Sequence, residues 1–118
     1  MDFTITGEPG PLGAIRLRLS GAIDLASRDA LFECGKSAIS DAPQLLLNLS
    51  DVRFMDSTGL SVLIDLSHEA DNQGKLFALE EPSQRVLRIL TLTGLQDAWP
   101  IHPTAEPQSK LAVDEVMG

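Results

Sequence analysis

Residues 13–20 alternate: apolar Ile15, Leu17 and Leu19 stand between polar Arg16, Arg18 and Ser20. A period of two turns one set toward a core and the other toward solvent, which predicts a strand buried on one face. Phe3 and Ile5 predict a short strand ahead of it. The connecting residues 6–13, TGEPGPLG, hold three glycines and two prolines, the chemistry of a surface turn, so the pair reads as an antiparallel hairpin. From Ser27 to Ser40 the period becomes helical. Ala30, Leu31, Cys34 and Ala38 share one face, with Leu25 just before them and Ile39 at the end, and DAPQ at 41–44 stops the helix. Residues 45–49, LLLNL, form an almost unbroken apolar run too short for a helix, as expected of a central parallel strand covered on both faces and ending in polar SDVRF.

Residues 57–72 predict a second helix, with Leu60, Leu63, Ile64, Ser67 and Ala70 in one stripe that Val62 and Leu66 widen. Asn72-Gln73-Gly74 closes it. Leu76 to Leu79 reads as a strand. Ser83 offers an N-cap for a third helix marked by Val86, Leu87 and Leu90 and ending before Gly94, and Ile101 falls in a last strand. A further helix is expected from about Pro107. This order predicts an α/β fold: a mixed, mostly parallel sheet of four to five strands, with an N-terminal antiparallel hairpin and flanking helices. One domain is expected over residues 1–103, followed by a C-terminal tail over 104–118.

Composition narrows the function. The chain has 118 residues, and its 17 acidic against 9 basic side chains give a formal charge of −8. That length suits one domain burying roughly two-thirds of its unfolded surface. The acidic balance and the five aromatic residues, none of them Tyr, argue against direct nucleic-acid binding and against attraction to anionic membranes. The richest apolar stretch, 60–66, already contains Asp65 and falls far short of the roughly 20 residues a membrane-spanning helix needs, so no membrane insertion is expected. The start, MDFTITGEPG, lacks the basic flank and apolar run of a signal peptide, and the expected location is cytoplasmic. Cys34, the one cysteine, has no partner for a disulfide and reads as a small buried hydrophobe.

Chemistry concentrates in residues 54–60, FMDSTGL, between a buried strand and the helix it feeds. Ser57 lies at or near the helix N-terminus, where the first backbone N–H groups lack intrahelical partners and the dipole favours negative charge. Capping by Ser57 or Asp56 is the plainer reading. A phosphoryl group on Ser57 would sit near those amides, however, so modification there is compatible with an intact helix. Asp24, at the end of GAID, reaches the same end of the sheet if the strands run parallel; a turn-capping role is its alternative. Gly59 costs the first helical turn about a kcal/mol relative to Ala, which calls for a reason such as close approach of another backbone.

Three segments carry a resemblance. SGAIDL at 20–25, LNLSDVRFMDSTGLSVL at 47–63 and SQRVLRILTLTGLQDAWPI at 83–101 are similar to landmarks of the anti-sigma factor antagonist family, the bacterial STAS domains. The resemblance implies a partner-switching protein. Such an antagonist binds an anti-sigma factor that is also a serine kinase, freeing a sigma factor for transcription in a stress response. The kinase inactivates it by phosphorylation, and a phosphatase resets it. By that resemblance Ser57 is the phosphoacceptor, and Asp24, Asp56, Thr58 and Gly59 belong to the partner-binding surface. Asp56 shapes the helix start, Thr58 is a helix-start residue, and ATP with its metal belongs to the kinase. The chain itself is expected to be no enzyme, with no catalytic residues, cofactor or metal.

Other readings compete with this one. A hydrolase using Ser57 lacks the G-x-S-x-G elbow, and His68 lies about three turns away, roughly 16 Å along the helix, too far for a base. His68 and His102 lack a third metal ligand at usable spacing. A nucleotide-binding module lacks a glycine-rich phosphate loop. The stronger rival is a STAS binding subunit of another assembly, such as a lipid-transport ATPase or a stress-signalling complex. Val62 and Leu66 read as core, with an apolar patch beside Ser57 as the alternative. Residues 56–81 hold six acids against Lys75 alone, so a basic or charge-tolerant partner surface is expected near Ser57.

Overall fold

The computed structural model describes residues 2–105. The helix expected from Pro107 lies outside them. Five strands form one sheet: β1 (Phe3–Pro9), β2 (Ile15–Ile23), β3 (Gln44–Met55), β4 (Leu76–Glu80) and β5 (Ile101–His102), in spatial order β1-β2-β3-β4-β5. Only β1–β2 is antiparallel; the other three pairings are parallel and require the helical crossovers α1 (Arg28–Asp41), α2 (Ser57–Asn72) and α3 (Gln84–Leu92). The expected α/β architecture and the bounds of α2 are as observed.

Leu17, Leu19, Leu45, Leu47 and Leu49 project from β2 and β3 into one core with Leu31 and Ile39 of α1, Leu60, Leu63 and Leu66 of α2, and Val86 and Leu90 of α3. Val62 and Leu66 are 1% and 0% exposed, so they are core and form no patch beside Ser57. The buried stripe of α1 is Leu31, Gly35, Ala38 and Ile39. Ala30 faces solvent and Cys34 is half-buried at the core edge, which corrects the expected face by a fraction of a turn. Gly35 lies under Leu66 of α2, where an added Cβ would meet Leu66 Cδ2 at 2.7 Å.

Two departures bear on the site. First, β3 runs seven residues beyond Asn48 to Met55 rather than ending in a polar loop. Register slips against β2 after Arg18 and after Gly21 insert an extra β3 residue each time. Each slip reverses the alternation, so Leu49, Val52 and Met55 reach the core while Phe54 is left partly exposed. Gly21, at φ +89°, sits where a Cβ would lie 1.6 Å from the Asp2 carbonyl oxygen, which explains a glycine in mid-strand.

Second, Arg16 does not face solvent. It is fully buried on the sheet's other face, where Nε and Nη2 donate to Glu80 Oε1 and Oε2 at 2.6 and 3.1 Å. Asn48 Nδ2 donates to Glu80 Oε1 at 3.3 Å and to Thr104 Oγ1 at 2.8 Å, and Arg16 Nη2 donates to the Ala105 carbonyl. The backbone N–H of Thr104 donates to Glu81 Oε1 at 3.0 Å and, with the Thr104 side chain, holds that carboxyl below its ordinary pKa.

Candidate functional site

The site is built where β2 and β3 end side by side. Ile23 is the register partner of Met55, so Asp24 and Asp56 leave the sheet at the same end, each opening a turn into a helix. Asp56 takes extended backbone and accepts from the Gly59 N–H through Oδ1 at 3.0 Å, while its carbonyl accepts from Leu60 N–H at 2.9 Å. It is the N-cap of α2, the role expected of it. Asp24 Oδ1 accepts from Ala26 N–H at 3.0 Å, closing an Asx turn. Ser27 ties that turn back to the strand: its hydroxyl donates to the Ala22 carbonyl at 2.9 Å and accepts from Asp24 N–H at 3.0 Å.

Gly59 joins the two entrances. A Cβ there would lie 2.2 Å from the Ile23 carbonyl oxygen, so α2 can start this close to β2 only with glycine at that position. This is the close backbone approach that the cost of the glycine called for. Ser57, the first residue of α2, is exposed, and among the described residues its hydroxyl has no hydrogen-bond partner. With Gly59 and Leu60 amides engaged by Asp56, the Ser57 and Thr58 amides are left at the positive end of the helix dipole. Thr58 is half-buried and its carbonyl accepts from the Ser61 hydroxyl at 2.7 Å.

Around Ser57 the sequence reading missed the apolar surface. Leu25, which the sequence places just before the α1 stripe, is 76% exposed beside Asp24 at this end of the sheet. Phe54 is 38% and Leu92 75% exposed, and both line one cleft with Met55. A leucine directly after the Asp of a tight turn was the available signal for Leu25; the β3 slips that expose Phe54 leave none in a single strand's pattern. The charge expectation also changes. Glu80 is 1% exposed and paired with Arg16, so it adds nothing to the acidic surface. Among the described residues no group of three or more His, Cys, Asp or Glu is placed to hold a metal ion, and no helix is long and apolar enough to cross a membrane.

The exposed serine thus stands at a capped helix start on a mixed α/β sheet, four of whose five strands run parallel. The STAS domain family model matches residues 6–107. The chain is 34% identical over 92 residues to the anti-sigma-B factor antagonist of Bacillus subtilis, spanning 78% of this chain and 84% of that protein. It belongs to the STAS domain family, among the anti-sigma factor antagonists. The fold matches an anti-sigma factor antagonist from Mycobacterium paratuberculosis with a TM-score of 0.76 at 26% identity, covering 99% of this chain and 96% of that one. It also matches the Bacillus cell fate determinant SpoIIAA in its phosphorylated form, with a TM-score of 0.68 at 21% identity over 96% and 99% of the two chains.

Proposed function

We propose that this chain is a non-enzymatic, cytoplasmic antagonist that binds an anti-sigma factor with serine-kinase activity, and that phosphorylation of Ser57 ends the binding. The observation that carries the reading is the state of Ser57: exposed, without a hydrogen-bond partner among the described residues, and held on a helix start whose cap is supplied by its neighbour. Because Asp56 does the capping, Ser57 contributes little to holding the helix and is available for modification. A phosphate there, carrying nearly two negative charges at pH 7, is accommodated by the adjacent amides and dipole, so the fold persists while its surface changes. Asp24, Thr58 and Gly59 enter the same reading as partner-binding positions, and a phosphatase restores the binding form.

Incubation with magnesium, ATP and each candidate anti-sigma kinase of the source genome, followed by mass spectrometry, is expected to locate one phosphate on Ser57. Ser57→Ala is expected to bind the kinase constitutively and Ser57→Asp to bind it at least tenfold more weakly, with unchanged melting temperatures. Equal binding by both variants refutes the switch.

A further inference from the structure

Two of the helices, α2 and α3, carry opposite charge. α2 holds Asp65, Glu69 and Asp71 and no Lys or Arg, whereas α3 holds Arg85 and Arg88 and no acid. Between α3 and the end of β3 lies a cleft of about 280 Å³ lined by Phe54, Met55, Arg85, Arg88, Ile89 and Leu92. Arg88, Leu92 and Arg85 stand three, four and seven residues apart, the spacing of one helical face. Both arginines are exposed, no carboxylate lines the cleft, and Arg85 Nη1 donates to the Arg53 carbonyl at 3.3 Å, which holds it over the end of β3. The cleft thus has an apolar floor, two apolar residues left open to solvent and two guanidinium groups on its wall.

A basic, partly apolar cleft on a chain of net charge −8 is a local exception that the whole surface opposes. Extended polyanions such as a membrane surface or a nucleic-acid backbone meet the repulsion of the remaining surface, while a short segment meets only the cleft. Arginine forks favour carboxylates in bidentate geometry, and Phe54 and Leu92 need an apolar side chain to cover them. We propose that this cleft seats an acidic segment of the anti-sigma factor, with carboxylates on Arg85 and Arg88 and an apolar anchor between Phe54 and Leu92. The inference rests on the functional reading above and names the contact by which that partner is held. It also bears on the switch. The Ser57 Cα lies at most about 7.6 Å from that of Met55 by chain geometry, so a phosphate on Ser57 adds negative charge beside the strand end that floors the cleft. Its charge lowers the positive potential that draws the acidic segment in.

Titration calorimetry of the full chain against the anti-sigma kinase that phosphorylates it tests this. Arg85→Glu/Arg88→Glu is expected to weaken binding at least tenfold and to flatten its salt dependence, and Leu92→Ser to weaken it severalfold with the salt slope retained; all three side chains are exposed, so melting temperatures are expected to hold. Wild-type affinity and salt slope in the double arginine variant overturn the cleft while leaving the switch at Ser57 standing. Arginine-dependent binding of phosphatidylglycerol vesicles, with kinase binding unaffected, assigns the cleft to a membrane and overturns the proposal. If the wild-type chain binds no anti-sigma kinase at all, the functional reading fails together with the occupant.

Discussion

The two helix entrances beside Ser57 solve one problem in different ways. Both follow a strand that ends in the same layer, and both begin with an aspartate. Asp56 caps α2 directly, so the helix starts on the next residue and the first side chain, Ser57, is presented at a fixed place. Asp24 instead closes a turn, and three residues intervene before α1 begins at Arg28, with the buried Ser27 hydroxyl bonding back to Ala22. One entrance is abrupt and rigid. The other is a short loop that carries an exposed leucine, Leu25, on its outside. Under the proposed function, the first arrangement suits modification of Ser57 and the second an adaptable partner contact.

Three substitutions test that contrast. The largest effect is expected from Gly59→Ala, which places a methyl 2.2 Å from the Ile23 carbonyl oxygen. The gain in helix propensity, about 1 kcal/mol, is outweighed by overpacking against backbone, and a net loss of about 1–3 kcal/mol is expected in chemical denaturation. No change in stability would mean that the two entrances are not in contact. Asp56→Ala removes the cap and is expected to cost about 1 kcal/mol, with faster amide exchange in the first turn of α2 as its local signature. Asp24→Ala opens one turn hydrogen bond while Ser27 keeps its own, so about 0.5 kcal/mol is expected. A loss as large as that at Asp56 would show that the α1 entrance is as rigid as its neighbour. Its larger consequence is expected in partner binding, read by the affinity of the folded variant.

The contrast was unevenly legible in the chain. The ends of α2 and the capping role of Asp56 follow from local chemistry, because a cap and its helix lie within four residues; the cost of Gly59 signals a close approach but does not name Ile23 as its partner. The β1–β2 hairpin and the Ser83 cap of α3, which accepts from Val86 N–H, are local in the same sense, and the parallel order follows from the alternation of strands and helices. Arg16 is different. Its alternation with Leu17 marks it as outward-facing, and only Glu80, 64 residues later, together with Thr104 and Ala105, makes the other side of the sheet an interior. Leu25 and Phe54 are hidden for a related reason: whether an apolar residue is covered depends on a turn and on register slips between two strands, neither of which has a period to read.

The buried Arg16–Glu80 pair acts as a ruler for the sheet. A run such as Leu45-Leu46-Leu47 would pack almost as well if β3 slid by two residues, since a slip of two returns every side chain to its own face. The ion pair and Asn48 together remove that indifference. Arg16 stands beside Leu46 and Glu80 beside Asn48, so the bidentate contact crosses β3 on a diagonal that exists in one alignment of β2 against β4, while the Asn48 donation to Glu80 Oε1 holds β3 to the same register. A shift of β2 against β4 strands a buried charge, at a cost of about 3–5 kcal/mol, and a shift of β3 alone strands the Asn48 amide. From that alignment the two register slips of β3 bring Ile23 level with Met55 at the other end. A polar contact remote from Ser57 thereby helps decide which residues of β2 and β3 end side by side ahead of Asp24 and Asp56.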